Sequence, residues 1–211
     1  PDGYIESIMM AGVREAHAVV TDLGLAADTT LTPVDLAHRL LYTAESRWWS
    51  RAGTSPQEAS MGLAYAAQAR TVADAEFNKV SLARVSSSLM TGAEGIVNVK
   101  LENDAGYPMS VELRFSGESV EFLGGERISL DLAPGETEIP VTVGSEGGSH
   151  SIVVSLLAGS SVLDEQTHVV RFLGLMTVLP WVVVSVVLLV GAGAYVIVRR
   201  RRRAQTEDAG T

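Results

Sequence analysis

The chain has 211 residues, a net charge of −9 and no cysteine. Its acidity argues against a nucleic-acid partner held through phosphate contacts, and the missing cysteine excludes disulfides, thiolate metal sites and a cysteine nucleophile. Charged residues make up 19% of the chain, below the roughly 25% usual in soluble domains, so some part of it is unusually apolar.

The first residue is Pro1 rather than Met, as in a processed or excised chain. Residues 1–80 read as helical. Ile5, Ile8, Met9, Val13, Ala16 and Val20 recur at steps of three and four, up to Gly24. A second helix starts with Thr32 as N-cap, Pro33 in the first position and Asp35 in the first turn. Its expected apolar face is Leu36, Leu40, Leu41, Ala44 and Trp48. A third start repeats the pattern with Ser55, Pro56 and Glu58, and Leu63, Ala66, Ala67, Ala73 and Phe77 come after it. Alanine faces let helices approach closely but bury little area. Such helices need a further partner: a larger upstream domain, or the strand-rich region C-terminal to them.

Residues 82–171 change period. Val97, Val99 and Leu101 alternate with polar neighbours, as do Met109, Val111, Leu113 and Phe115. The same holds for Ile128, Leu130 and Leu132, for Val141 and Val143, and for Ile152, Val154 and Leu156. A period of two is that of half-buried strands. Turn chemistry separates them at Gly106, Ser116-Gly117, Gly124-Gly125, Pro134-Gly135, Gly147-Gly148 and Gly159-Ser160. Seven or eight short strands in this length predict an immunoglobulin-like β-sandwich.

From Phe172 to Val198 no residue is charged, and 16 of these 27 are Val, Leu, Ile or Phe. As a helix the stretch is about 40 Å long, enough to span a bilayer core of about 30 Å. Its apolar side chains favour insertion by about 5 to 10 kcal/mol. Arg199, Arg200, Arg201, Arg202 and Arg203 come directly after it, whereas Arg171 stands alone before it, behind Asp164 and Glu165. The positive-inside rule then places residues 199–211 in the cytoplasm and the N-terminal region outside. Trp181 and Tyr195 suit the two interfaces. Eleven basic and 23 acidic residues precede the stretch; five Arg, Glu207 and Asp208 lie beyond it. The exposed part is thus acidic and the tail basic.

The run from Gly95 through Asn103, Gly106-Tyr107-Pro108, Val111 to Phe115 and Leu130-Asp131-Leu132-Ala133-Pro134-Gly135-Glu136 resembles the C-terminal sandwich of an uncharacterised actinobacterial family. Its members are large exported single-pass envelope proteins, often encoded beside the lipid II flippase. Ala44-Glu45-Ser46-Arg47-Trp48-Trp49 is also similar to that family just before its sandwich. The resemblance covers roughly residues 36–203. It implies an envelope location, a transmembrane helix and an Arg-rich tail, and carries no catalytic residues over. Fourteen of the 16 basic residues are Arg, as a GC-rich genome would encode.

Candidate chemistry is sparse. His17, His38, His150 and His168 show no metal-ligand spacing. Asp35 stands where it could orient His38, and Glu15 neighbours His17. His150 and His168 fall on predicted strands, as exposed or partner-facing rings. Glu45 is the one carboxylate with an aromatic neighbourhood, Trp48 and Trp49, which could stack on a sugar or serve a domain contact. Glu102, Asn103 and Asp104 could hold calcium or simply build a turn.

The reading is an α+β, membrane-anchored chain: helical segment 1–80, sandwich 82–171, transmembrane helix 172–198 and basic tail 199–211. It is expected to anchor, space and present a surface. It needs no cofactor or metal and has no activity of its own. Its expected partners are the lipid bilayer and an envelope protein or cell-wall glycan, not nucleic acid. The alternative is the C-terminal part of a glycan-processing envelope enzyme whose catalytic residues lie upstream.

Overall fold

The computed structural model describes residues 2–46, 55–87 and 89–173, with side chains from Met10 onward. Trp48, Trp49, Trp181, Tyr195 and Arg199 to Arg203 lie outside the described residues. So does the expected span from residue 174 on. Among the described residues no helix is long and apolar enough to cross a membrane.

Among the described residues three helices precede two antiparallel sheets, an α+β arrangement. The helices are α1 (Asp2–Ala26), α2 (Thr32–Ala44) and α3 (Pro56–Phe77). α3 lies along both of the others, and its contact face is Ala59, Gly62, Ala66, Ala69 and Ala73, closed by Phe77. This three-and-four spacing stacks small side chains in one row, so the helix backbones come close. Leu63 is half-buried and Ala67 is exposed, so the row lies slightly around the helix from the expected face. Val13, Ala16, Val20 and Leu23 of α1 fill the centre.

α3 starts as its sequence predicts. Ser55 Oγ accepts from Glu58 N, and Ser55 N donates to Glu58 Oε2 at 2.8 Å. The bond from Ser55 N, and after it one from Ser55 Oγ to the same oxygen at 3.0 Å, hold the Glu58 carboxyl below its usual range. The start of α2 differs. Thr32 is inside the helix, and the N-cap is Leu31, which offers no side-chain bond. Asp28 organises the preceding turn instead: Thr30 donates to Asp28 Oδ1 through both its amide and its hydroxyl. The buried face of α2 is Val34, Ala37, Leu41 and Ala44, while Leu36 is exposed. Apolar periodicity alone could not choose between the two stripes, because α2 carries Leu on both sides.

The remaining elements are eight strands: β1 (Val80–Ser87), β2 (Glu94–Asn103), β3 (Met109–Gly117), β4 (Glu121–Phe122), β5 (Arg127–Leu132), β6 (Gly135–Gly144), β7 (Gly148–Ala158) and β8 (Ser161–Phe172). One sheet has the order β1-β2-β6-β4 and the other β5-β3-β7-β8. The alternating residues do point inward: Val97, Val99 and Leu101 face Met109, Val111, Leu113, Phe115, Ile152, Val154 and Leu156 in one core. Phe115 and Phe122 stack with ring centroids 5.5 Å apart. The expected turn at Ser116-Gly117 lies within β3; the chain reverses later, where Ser119 takes φ 61°.

Two boundaries move. β1 begins at Val80, ahead of the expected residue 82. At the other end Phe172, expected as the first residue of the span, is the last residue of β8 and is buried in the sandwich. Its apolar side chain is a core residue with a strand pairing, Gly148↔Phe172.

The strands β1 and β8 edge different sheets and are joined by side chains and, beyond β1, by backbone bonds. At the irregularity between Leu82 and Arg84, Leu82 N donates to Asp164 Oδ2 at 2.9 Å, and Gln166 Nε2 donates to Leu82 O. Further along, Met90 N donates to Arg171 O at 3.0 Å and Leu173 N donates to Met90 O at 2.8 Å. Backbone groups that a ladder would satisfy are thus satisfied across the seam.

The helices are fastened to the end of the sandwich formed by residues 103–109 and 157–161. Asp22, buried in α1, accepts from Ser160 Oγ at 2.8 Å and Ser161 Oγ at 2.7 Å. Gly159 lies beneath it at φ 58°, and a Cβ there would be 2.2 Å from Asp22 Oδ1. Buried Glu76 of α3 takes Lys79 Nζ and the Tyr107 hydroxyl, each at 2.7 Å. The helices therefore pack onto the sandwich, the second of the two partners their thin apolar face called for. The chain leaves β8 at the opposite end of the sandwich.

Candidate functional site

The four histidines take four different environments. His17, at the middle of α1, meets Glu45 at the end of α2, with Nδ1 and Oε1 2.5 Å apart. Its sequence neighbour Glu15 turns away and pairs with Arg70 at 2.5 Å. Residues two positions apart project from different sides of a helix, so Glu15 is an incidental neighbour of His17. The partner of His17 lies 28 positions away.

His38 does not receive Asp35. That carboxylate pairs with Arg39 at 2.6 Å, one turn along α2. The His38 ring faces α1, where a Cβ on Gly24 would be 2.7 Å from Nε2. His38 Nε2 is buried and has no hydrogen-bond partner among the described residues. Its role is to fill space between α1 and α2, with its ring centroid 6.0 Å from that of Tyr42.

His150 and His168 do lie on strands, but they are half-buried rather than exposed. His150 Nε2 is 2.9 Å from Ser145 Oγ and 2.8 Å from Gly147 O, so with its proton on Nε2 the ring donates to the Gly147 carbonyl. His168 Nε2 meets Ser87 Oγ at 3.0 Å across the β1–β8 seam. Burial lowers the His168 pKa from its ordinary 6.5. Both rings serve the end of the sandwich where the chain leaves.

The acidic run at the end of β2 is a structural joint. Asn103, fully buried, donates to Tyr107 O at 2.9 Å and Leu132 O at 2.8 Å, and accepts from Ala105 N. Glu102 sits in the ladder opposite Ser81 and Glu136. Of the two readings of this run, calcium loop or turn, the Asn-Asp turn is the one the hydrogen bonds describe. Among the described residues no three His, Asp or Glu stand close enough to hold a metal ion.

Two of the concave places adjoin these histidines. One is a groove of about 930 Å³ at the exit end of the sandwich, with Glu94, Glu121, Glu126 and Glu146 around Phe122 and Leu123. Nothing in the sequence grouped these residues, because they come from four separate loops and strand ends. The other is a cavity of about 390 Å³ beside the His17–Glu45 pair, floored by Val13 and Ala44 and edged by Met10, Arg14 and Ser46. The sequence had marked Glu45 and His17 separately; the antiparallel packing of α1 on α2 joins them.

The His17–Glu45 pair has two of the parts a catalytic triad requires, a base and a carboxylate that can orient it. A nucleophile held against the base would be the third part. The pair is a place for hydrogen bonding before it is a place for bond breaking.

No family model matches the chain, and no curated protein does. Some solved structures are similar over slightly less than half of the chain. A putative β-galactosidase from Bacteroides fragilis is similar with TM-score 0.33 and 19% identity, over 46% of this chain and 18% of that one. α-2-Macroglobulin from Escherichia coli is similar with TM-score 0.35 and 16% identity, over 45% of this chain and 16% of that one. A FixG-related protein from Vibrio parahaemolyticus gives TM-score 0.35 and 16% identity, over 46% of this chain and 97% of that one. The first two matches thus span less than a fifth of the larger proteins. None of these likenesses carries an argument about function.

Proposed function

We propose that the chain is the membrane-proximal end of a cell-envelope protein, where it anchors, spaces and presents the parts farther out. We take the strand order as that of an immunoglobulin-type sandwich, with β2-β6 and β3-β7 as the central pairs. The observation that supports the reading is the polarity of the molecule. The helices are fastened to one end of the sandwich by Asp22 and Glu76, and the chain leaves at the other end through Phe172. The twelve residues of β8 separate these ends by roughly 35 Å.

Beyond that end lie the uncharged stretch through Val198 and the run Arg199 to Arg203. Inserted as a single span, the stretch puts the tail in the cytoplasm and the helices outside, with Trp181 and Tyr195 at the two interfaces. The glutamates of the exit-end groove would then face the headgroups and hold the sandwich off an anionic surface. The partners of this reading are the bilayer and, at the far helical end, an envelope protein or a cell-wall glycan. Protease added to intact cells tests it. The part before Phe172 should be degraded and a tag at Thr211 spared; a protected N-terminal part overturns the orientation.

A further inference from the structure

We propose that the cavity between α1 and α2 binds a saccharide that carries a carboxylate. At about 390 Å³ it falls within the roughly 300–1,000 Å³ of small-molecule sites, and it has their composition, an apolar floor with a few convergent polar groups. Val13 and Ala44 form the floor and are buried. Above it Met10, which is exposed, supplies the apolar surface that the C–H face of a pyranose ring would meet.

The rim selects the rest. Arg14 Nε donates to Met10 O at 3.0 Å, within its own helix. Among the described residues no carboxylate pairs with its terminal nitrogens, and a guanidinium edge takes a ligand carboxylate through two parallel bonds. His17 and Glu45 engage each other through Nδ1 and Oε1, which leaves Nε2 and Oε2 for a ligand. An acceptor-only oxygen beside an imidazole matches neighbouring hydroxyls, each of which both donates and accepts. Glu45 also repels a densely charged ligand such as a phosphate ester, so a single carboxylate with hydroxyls fits better than a polyanion.

This site is independent of the anchoring reading: the topology can hold with the cavity empty, and the cavity can bind whichever way the chain is inserted. The test is saturation-transfer NMR on the full 211-residue chain with glucuronate, N-acetylmuramate, glucose and N-acetylglucosamine. At least one of the two acids should bind in the millimolar range, at least tenfold more tightly than the neutral sugars. Which acid is preferred reports whether the carboxylate sits on the ring or on a side arm. Arg14→Gln should bring the acid down to the level of the neutral sugar. Glu45→Leu should weaken acidic and neutral sugars alike, with circular dichroism confirming that the helices remain. Absence of transfer from both acids, equal binding of acidic and neutral sugars, or a preference that survives Arg14→Gln overturns the proposal.

Discussion

Asp22 and Ser161 stand 139 positions apart in sequence, and in the fold the Ser161 hydroxyl donates to Asp22 Oδ2 at 2.7 Å. With the neighbouring bond from Ser160, this contact fastens the helical layer to the β7–β8 turn.

Asp22→Ala leaves two hydroxyls without their acceptor and should cost about 1 to 3 kcal/mol in thermal or denaturant unfolding. Gly159→Ala should also destabilise, because its Cβ would meet the Asp22 carboxylate and because φ 58° is strained for alanine. The double variant should cost less than the sum of the two, since removing the carboxylate removes the clash. Strict additivity would show that the two residues do not press on each other.

The alternation of β3 predicts Phe115 in the core, and the structure buries it at 2% exposure. Phe115→Ala should cost about 3 to 5 kcal/mol. Leu123, apolar but exposed, is the control, and Leu123→Ala should stay within about 0.5 kcal/mol. Equal losses at the two positions would mean the inward face of β3 is misassigned.

Acid should loosen the exit end of the sandwich. Burial holds His168 below its ordinary pKa of 6.5, so the folded chain prefers the neutral ring. The unfolded chain takes up the proton first. Stability is therefore full above about pH 6.5 and falls as pH drops below it. His168→Gln should flatten the decline in melting temperature between about pH 7 and about pH 5. An unchanged slope would place the acid sensitivity elsewhere.

Alkali should loosen the opposite end. Burial first, then the hydrogen bond to Glu76 and its charge, raise the Tyr107 pKa above its ordinary value of 10.0. The folded chain keeps the phenolic proton while the unfolded chain loses it near 10. The contribution is present below about pH 10 and is lost as pH rises through the folded value. Tyr107→Phe should lower the melting temperature at neutral pH and lose less of it from about pH 9 to about pH 11. A variant as alkali-sensitive as the parent would sink this assignment.

We expect no glycosidic turnover by this chain. Incubation with cell-wall glycan fragments, followed by mass spectrometry, should return the substrates intact. The His17–Glu45 pair supplies a base and an orienting carboxylate, and acid–base or nucleophilic catalysis requires a convergent third group besides. Turnover that disappears in Glu45→Gln would promote the enzymatic reading and make the pair catalytic.

Much of the fold is written in short-range pattern. The capping residues at Ser55 and Glu58 place the start of α3, and alternation in Val97–Leu101 and Met109–Phe115 assigns both the strands and their inward faces. These features depend on backbone period and local hydrogen bonding, which a window of ten residues contains. The uncharged stretch to Val198 and the Arg run after it lie outside the described residues.

Tertiary structure decided everything that depends on which surface meets which. α2 carries leucines on two stripes, and only its packing against α3 selected Val34, Ala37 and Leu41 over Leu36. The uncharged run reads Phe172 as the start of an apolar span, and only its pairing with Gly148 made it the end of a strand. Glu15, beside His17 in sequence, went to Arg70, while Glu45 came from another helix to take its place. Asp22 and Ser161, the joint between the two layers, share no local signal at all. Period fixes the face a side chain occupies, but its partner is set by long-range packing, where loop-closure cost rises only slowly with separation and buried polar groups bond to whatever the fold brings near.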